Sequence, residues 1–134
     1  MKSILDEESR KALVNYRMQR ADESLEEALI LCHTGHYNAS MNRLYYACYY
    51  AIVAALLQKD VNAATHAGVK TMFNLHFIST GLLSKEHGKT FSRLFEIRHT
   101  SDYDDFVFCD QEMFEDSFPK AKMLIDAIKT MLAS

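Results

Sequence analysis

Apolar residues recur at intervals of three and four along most of the chain, and short polar gaps divide the pattern into about five segments. From Glu8 to about His33, the residues Leu13, Tyr16, Ala21, Leu25, Ala28, Leu29 and Cys32 keep to one face of a 3.6-residue period, which predicts a long first helix. Thr34-Gly35-His36 breaks the pattern, with Gly35 free to take positive φ, and so short a reversal implies an antiparallel neighbour. Tyr37 to Gln58 then carries Leu44, Tyr45, Ala47, Cys48, Ala51, Ile52, Ala55 and Leu56, an apolar surface wide enough for the centre of a bundle.

The later segments have their own start and stop signals. Lys59-Asp60-Val61-Asn62 ends the second helix, Thr65 suits the N-cap of a third running through Met72, Phe73 and Phe77, and Gly81 closes that one. Ser84 caps a fourth with Phe91, Leu94, Phe95 and Arg98 on nearby turns, and the acidic stretch Ser101 to Asp105 marks its end. Asp110 caps the last helix, where Pro119 predicts a kink or a restart near Ser117 before Met123, Leu124, Ala127, Ile128 and Met131 return to the core. Four glycines and one proline are too few for a many-stranded sheet protein, so the fold class is all-α, an up-and-down antiparallel bundle. No linker, low-complexity tract or repeat interrupts residues 1–134, which read as one domain.

Composition narrows the function classes. The net charge of −3 gives no global attraction to nucleic acid, so any RNA contact must come from a local cationic patch. The first ten residues resemble neither a signal nor a transit peptide, and the apolar run near Tyr45 to Leu57 is too short to cross a bilayer. A cytoplasmic protein without membrane contact is therefore expected. Cys32, Cys48 and Cys109 lack the pairings of a zinc site and read as reduced thiols. His66 and His76 stand ten apart, too far for the i, i+4 spacing of a zinc helix, so no metal and no cofactor are expected.

Two constellations could carry chemistry. Asn42-Arg43-Leu44-Tyr45-Tyr46-Ala47-Cys48-Tyr49-Tyr50 places an amide, a guanidinium and four phenols on a core helix. Structurally, the phenols would pack with their hydroxyls at the rim while Arg43 pairs with an acid on a neighbouring helix. Functionally, Arg43 and Tyr46 share a face and offer a phosphate clamp beside a stacking ring. The second constellation, Glu96 to Phe106, runs Arg98 into Asp102, Tyr103, Asp104 and Asp105. An Arg98–Asp102 ion pair would only pin a helix end; alternatively, a carboxylate preorganises Arg98 to hold a phosphate.

Taken together, Asn42-Arg43-Leu44-Tyr45-Tyr46-Ala47, His66 with Gly68 and Val69, His76-Phe77, Arg93 to Arg98, and Asp102-Tyr103-Asp104-Asp105-Phe106 resemble the HEPN domain family over nearly the whole chain. The similarity is to its stand-alone bacterial and archaeal branch with an Arg-x-x-x-Asp-Tyr-Asp sequence, here Arg98 to Asp104. The resemblance implies a helical bundle, commonly a homodimer, often partnered with a minimal nucleotidyltransferase as a toxin and antitoxin. It also implies a nucleotide or RNA site drawn from Asn42, Arg43, Tyr46, His66, Arg98, Asp102, Tyr103 and Asp104.

Catalytic members of the family are metal-independent RNases with four to six residues between an arginine and a histidine. Here Tyr103, Asp104 and Asp105 occupy those places, so the expected proton acceptor is missing. Arg93 and His99 match the spacing, but Arg98 is the arginine aligned with the Asp-Tyr-Asp that follows it. If the protein were an enzyme, Arg98, Asp102 and Tyr103 would have to carry catalysis, and a phenol of pKa about 10 is a poor base at neutral pH. Binding therefore outranks cleavage, with a degenerate RNase or a purely structural assembly partner as the alternatives. A homodimer follows also from the breadth of the second helix, which five helices would be hard pressed to cover.

Overall fold

A computed structural model describes residues 6–103 and 108–134, residues 100–103 by their backbone alone. Five α-helices follow one another: α1 Glu7–His33, α2 Tyr37–Gln58, α3 His66–Phe73, α4 Lys85–Tyr103 and α5 Gln111–Leu132. No strand occurs among the described residues, in keeping with the all-α reading.

Local chemistry sets most helix ends. Asp6 accepts the Ser9 N–H at 2.6 Å to cap α1, with Glu7 and Glu8 in the first turn favouring the positive end of the helix dipole. At its C-terminus Gly35 takes φ 79°, and the Gly35 and His36 N–H groups donate to the Cys32 and Leu31 carbonyls, reversing the chain into α2. Asp60 plays the corresponding part after α2, at φ 58°, where a short polar side chain tolerates the left-handed region better than a bulky one. Thr65 accepts the Gly68 N–H at 2.9 Å, Ser84 the Glu86 N–H at 3.2 Å, and Asp110 the Met113 N–H at 2.9 Å, so all three expected caps are in place.

Helix α2 packs against each of the other four. Its Ala47, Ala51, Ala54 and Ala55 let neighbouring backbones approach closely, while Leu44, Ile52 and Leu56 fill the space between them, all of them buried. Around it close Ala21 and Ala28 of α1, Phe73 of α3, Phe91 and Leu94 of α4, and Phe114, Leu124 and Ile128 of α5.

Two sequence expectations need correction. On α1 the buried stripe is Val14, Ala21, Ser24 and Ala28, whereas Tyr16 is 52% exposed because it lies about a third of a turn off that line. The third helix does not run uniformly to Phe77: from Asn74 to Ile78 it widens into a π-helical turn, which leaves Phe73 and Phe77 both buried and in ring contact at 6.0 Å. Of the kink or restart expected at Pro119, the restart does not occur, since α5 runs as one helix through it. Most of the wide apolar surface of α2 is covered within the chain, with Tyr46, Tyr49, Tyr50, Val53 and Leu57 only partly buried. Helix α4 ends at Tyr103, inside the acidic stretch expected to mark its end.

No helix among the described residues is long and apolar enough to cross a membrane. None of their His, Cys, Asp and Glu side chains gather in threes as a potential metal site.

Candidate functional site

The centre of the site is Tyr45, which α2 turns fully inward. Its ring stacks on Phe91 of α4, centroids 5.5 Å apart and planes within 14°, and its hydroxyl shares a 2.8 Å hydrogen bond with His66 Nδ1. His66, the first residue of α3, also stacks on Tyr49 at 4.5 Å and meets the edge of Tyr46 at 5.9 Å. The Arg98 guanidinium of α4 lies 5.4 Å from the Tyr45 ring centre and 5.6 Å from that of Tyr46. Arg43 approaches the Tyr46 ring at 4.9 Å, so two guanidinium groups share one aromatic ring.

Burial pushes the Tyr45 phenol well above its ordinary value, with the charge of Arg98 pulling weakly the other way. Burial, then the neighbouring Tyr46, raises Tyr49 as well. Both phenols are therefore neutral at physiological pH, and neither can serve as a proton acceptor there. They are hydrogen-bonding and stacking groups.

Beside this cluster a groove of about 360 Å³ opens between the end of α1, the start of α2 and the end of α4, its polar lining Asn38, Asn42, Arg43 and Arg98 and its walls including Leu31 and Ile97. Asn38 Oδ1 accepts the Cys109 N–H at 2.6 Å, and Asn42 Oδ1 accepts from Arg43 Nη2 at 3.4 Å. With those oxygens engaged, what the groove offers an incoming group is dominated by N–H donors, two of them on cations. Such a lining suits an anion with several acceptor oxygens. A larger hollow of about 420 Å³ lies apart from these aromatics, lined by Arg10, Val14, Gln58 and Lys129. There Arg10 faces Asp60 at 3.7 Å and Lys129 faces Asp22 at 2.7 Å.

The structure thus brings Asn42, Arg43, Tyr46, His66 and Arg98 together from three helices. Asp102 and Tyr103 lie in the last turn of α4 with side chains outside the described residues, as Asp104 is altogether. The expected acidic partner of Arg43 on a neighbouring helix is Glu27 of α1, at 3.6 Å, a loose ion pair rather than a close hydrogen bond. Arg93 is exposed and takes no part in the groove, whose lining holds Arg98.

Sequence reasoning missed Asn38 and the central part of Tyr45 and Tyr49. The four-residue step from Asn38 to Asn42, one helical turn on the face that also leads to Arg43, was a usable signal for the first. Nothing local signals the second, because the partner of Tyr45 is 21 residues away.

Residues 14–131 match the family described as HEPN domain. A UPF0332 protein of Thermotoga maritima is 36% identical over 123 residues, 92% of this chain and 93% of that protein. Two proteins of Methanocaldococcus jannaschii, named "Putative toxin MJ0605" and "Putative toxin MJ0142", are each 31% identical; the alignments cover 98% and 87% of this chain and 97% and 80% of theirs.

Proposed function

The chain belongs to the HEPN domain family, and we propose that it is a nucleotide- or RNA-binding module whose Arg98 groove takes a phosphate. One observation carries this reading: four donor-rich side chains, Asn38, Asn42, Arg43 and Arg98, line one groove of about 360 Å³ beside an aromatic ring that both arginines touch. An anion in the groove would gain charge-assisted hydrogen bonds from both guanidinium groups. The half-buried Tyr46 ring adds a surface for a base. Asp102, Tyr103 and Asp104 complete the site in this proposal by orienting Arg98 and the ligand. We further infer a homodimer, and partnership with a minimal nucleotidyltransferase in a toxin and antitoxin system; the toxin names of two relatives support the latter setting.

The test is titration of a labelled RNA oligonucleotide and a mononucleotide against wild type and Arg98→Ala. Loss of the charge-assisted bonds should cost about 1.5 to 3 kcal/mol, roughly tenfold to more than a hundredfold in affinity. A substitution that lowers the melting temperature but leaves affinity unchanged in the folded fraction would make Arg98 purely structural. Light scattering at micromolar concentration checks the dimer, and a monomer mass would sink it.

A second reading, a metal-independent RNase, is favoured by one observation. The cluster contains an imidazole, His66, which borders Tyr45 and Tyr46 as Arg98 does, although the motif histidine is missing from the sequence. In that reading Arg98 holds the scissile phosphate and His66, Asp102 or Tyr103 accepts the ribose proton. Cleavage in EDTA that vanishes in Arg98→Ala and His66→Gln would establish it over pure binding.

A further inference from the structure

Three rings on α2 stand outside the Arg98 groove in a connected patch. Tyr46, Tyr49 and Tyr50 have centroids 5.9 Å from one another in every pairing, and all three are half-buried, with an edge or face toward solvent. Arg43 and Arg98 border the patch at Tyr46, and at its other end the Arg20 guanidinium of α1 lies 5.4 Å from the Tyr50 ring. A chain with 15 Lys and Arg against 18 Asp and Glu has here gathered three arginines around three adjoining tyrosines.

Resting on the binding function proposed above, we infer that the site extends from the Arg98 groove along α2 to Tyr50 and Arg20, as a track for several successive nucleotides of single-stranded RNA. The groove takes one phosphate; the tyrosines offer faces and edges to neighbouring bases, and Arg20 takes a phosphate at the far end. Alternation of stacking rings and cations is what a flexible single strand, with a base and a charge in every unit, can use without sequence preference. The carboxylate on Arg20 does not close the far end of the track. Glu23 meets Arg20 at 2.8 Å and Glu27 meets Arg43 at 3.6 Å, and both acids are nearly half exposed. The exposed Arg20–Glu23 pair is weak and screened, and a phosphate can take that guanidinium from it, whereas the Glu27 Oε1 that faces Arg43 is shielded from solvent. A protein partner would more naturally use the well-exposed apolar side chains, and of those among the described residues Leu75, Leu82, Phe108 and Met123 lie on neither α1 nor α2.

The experiment measures affinity against RNA length. Labelled oligonucleotides of two, four and eight residues, with AMP as the mononucleotide competitor, are titrated against wild type, Arg20→Gln, Tyr50→Leu, Arg98→Ala and, as a surface-charge control on α5, Lys122→Gln, each verified as folded by circular dichroism. Wild type should gain affinity with length. Arg20→Gln and Tyr50→Leu should each lower octamer affinity about tenfold, the loss of roughly one stacked base or phosphate contact, with a much smaller effect on AMP. Arg20→Gln should also reduce the slope of log affinity against log salt by about 0.7, one phosphate contact on a single strand. Octamer affinity unchanged in both variants, or AMP affinity falling equally, would overturn the track while leaving the Arg98 groove standing. A fall in self-association without a change in RNA affinity would assign the patch to a second copy of the chain, and overturns the track as well. Failure of wild type to bind any of these ligands, or binding indifferent to Arg98→Ala, would remove the proposed function itself.

Discussion

Replacing Tyr45 by Phe removes one oxygen from the centre of the site and leaves its packing intact. The ring is fully buried and keeps its stack on Phe91 at 5.5 Å, so no cavity larger than the hydroxyl is created. What goes is the 2.8 Å hydrogen bond to His66, a net contribution of about 1 kcal/mol, with the half-buried imidazole able to recover part of its loss through water. At about 2.1 cal/mol/K of unfolding entropy per residue, a chain of 134 residues should lose roughly 4 °C of melting temperature. A second signature appears in alkali. Burial raises the Tyr45 pKa in the folded state, so the stability it contributes is intact below the unfolded value near 10 and is lost as pH rises through the folded value. Urea melts of wild type should therefore lose up to about 1.4 kcal/mol per pH unit on this group's account above pH 10 or so, and Tyr45→Phe should lack that share. Buried Cys48 behaves in the same sense from about pH 9 and is present in both proteins, so it cancels in the comparison. Equal stability at pH 7 together with an unchanged alkaline slope would refute the inward, hydrogen-bonded Tyr45.

The cysteines differ sharply in surroundings. Cys48 is fully buried and Cys109 nearly so, while Cys32 is partly exposed, though burial still raises its thiol. A disulfide reagent should label Cys32 first and slowly, the other two only on unfolding, and immediate labelling of all three would contradict this packing. Asp110→Ala removes the side chain that accepts the Met113 N–H, and thermal melts should show a loss of about 1 kcal/mol, or roughly 4 °C; no change would mean that α5 is held by its packing alone.

What the sequence disclosed and what it withheld follow from the range of the forces involved. The bounds of α2, Tyr37–Gln58, were legible because a glycine turn, an apolar period and a polar stop all act within a few residues. The nearness of Arg43 to Tyr46 was legible for the same reason, three positions on one helix lying on one face. The π-turn at Asn74–Ile78 was not, since one widened turn preserves the three-and-four pattern of Phe73 and Phe77 that would mark an ordinary helix. Nor could the pattern separate Tyr16, which is exposed, from Val14, which is buried, because each fits an apolar stripe and only the crossing of α1 over α2 decides between them.

The site itself depends on a still longer range. Tyr45 and His66 meet because α3 begins beside the middle of α2, and Arg98 reaches Tyr45 because α4 lays Phe91 flat on that ring two turns earlier. The core contact therefore sets the register of the functional arginine: a residue chosen to bury a ring fixes, seven positions on, where the guanidinium stands. That coupling also explains why four adjacent-looking tyrosines have unlike roles. Tyr45 faces inward and neutral as the anchor, while Tyr46, Tyr49 and Tyr50 remain at the surface where Arg20, Arg43 and Arg98 approach them. Composition could speak only of a net charge of −3, and it is the folding of three helices that turns an acidic chain into one with a local cationic, aromatic face.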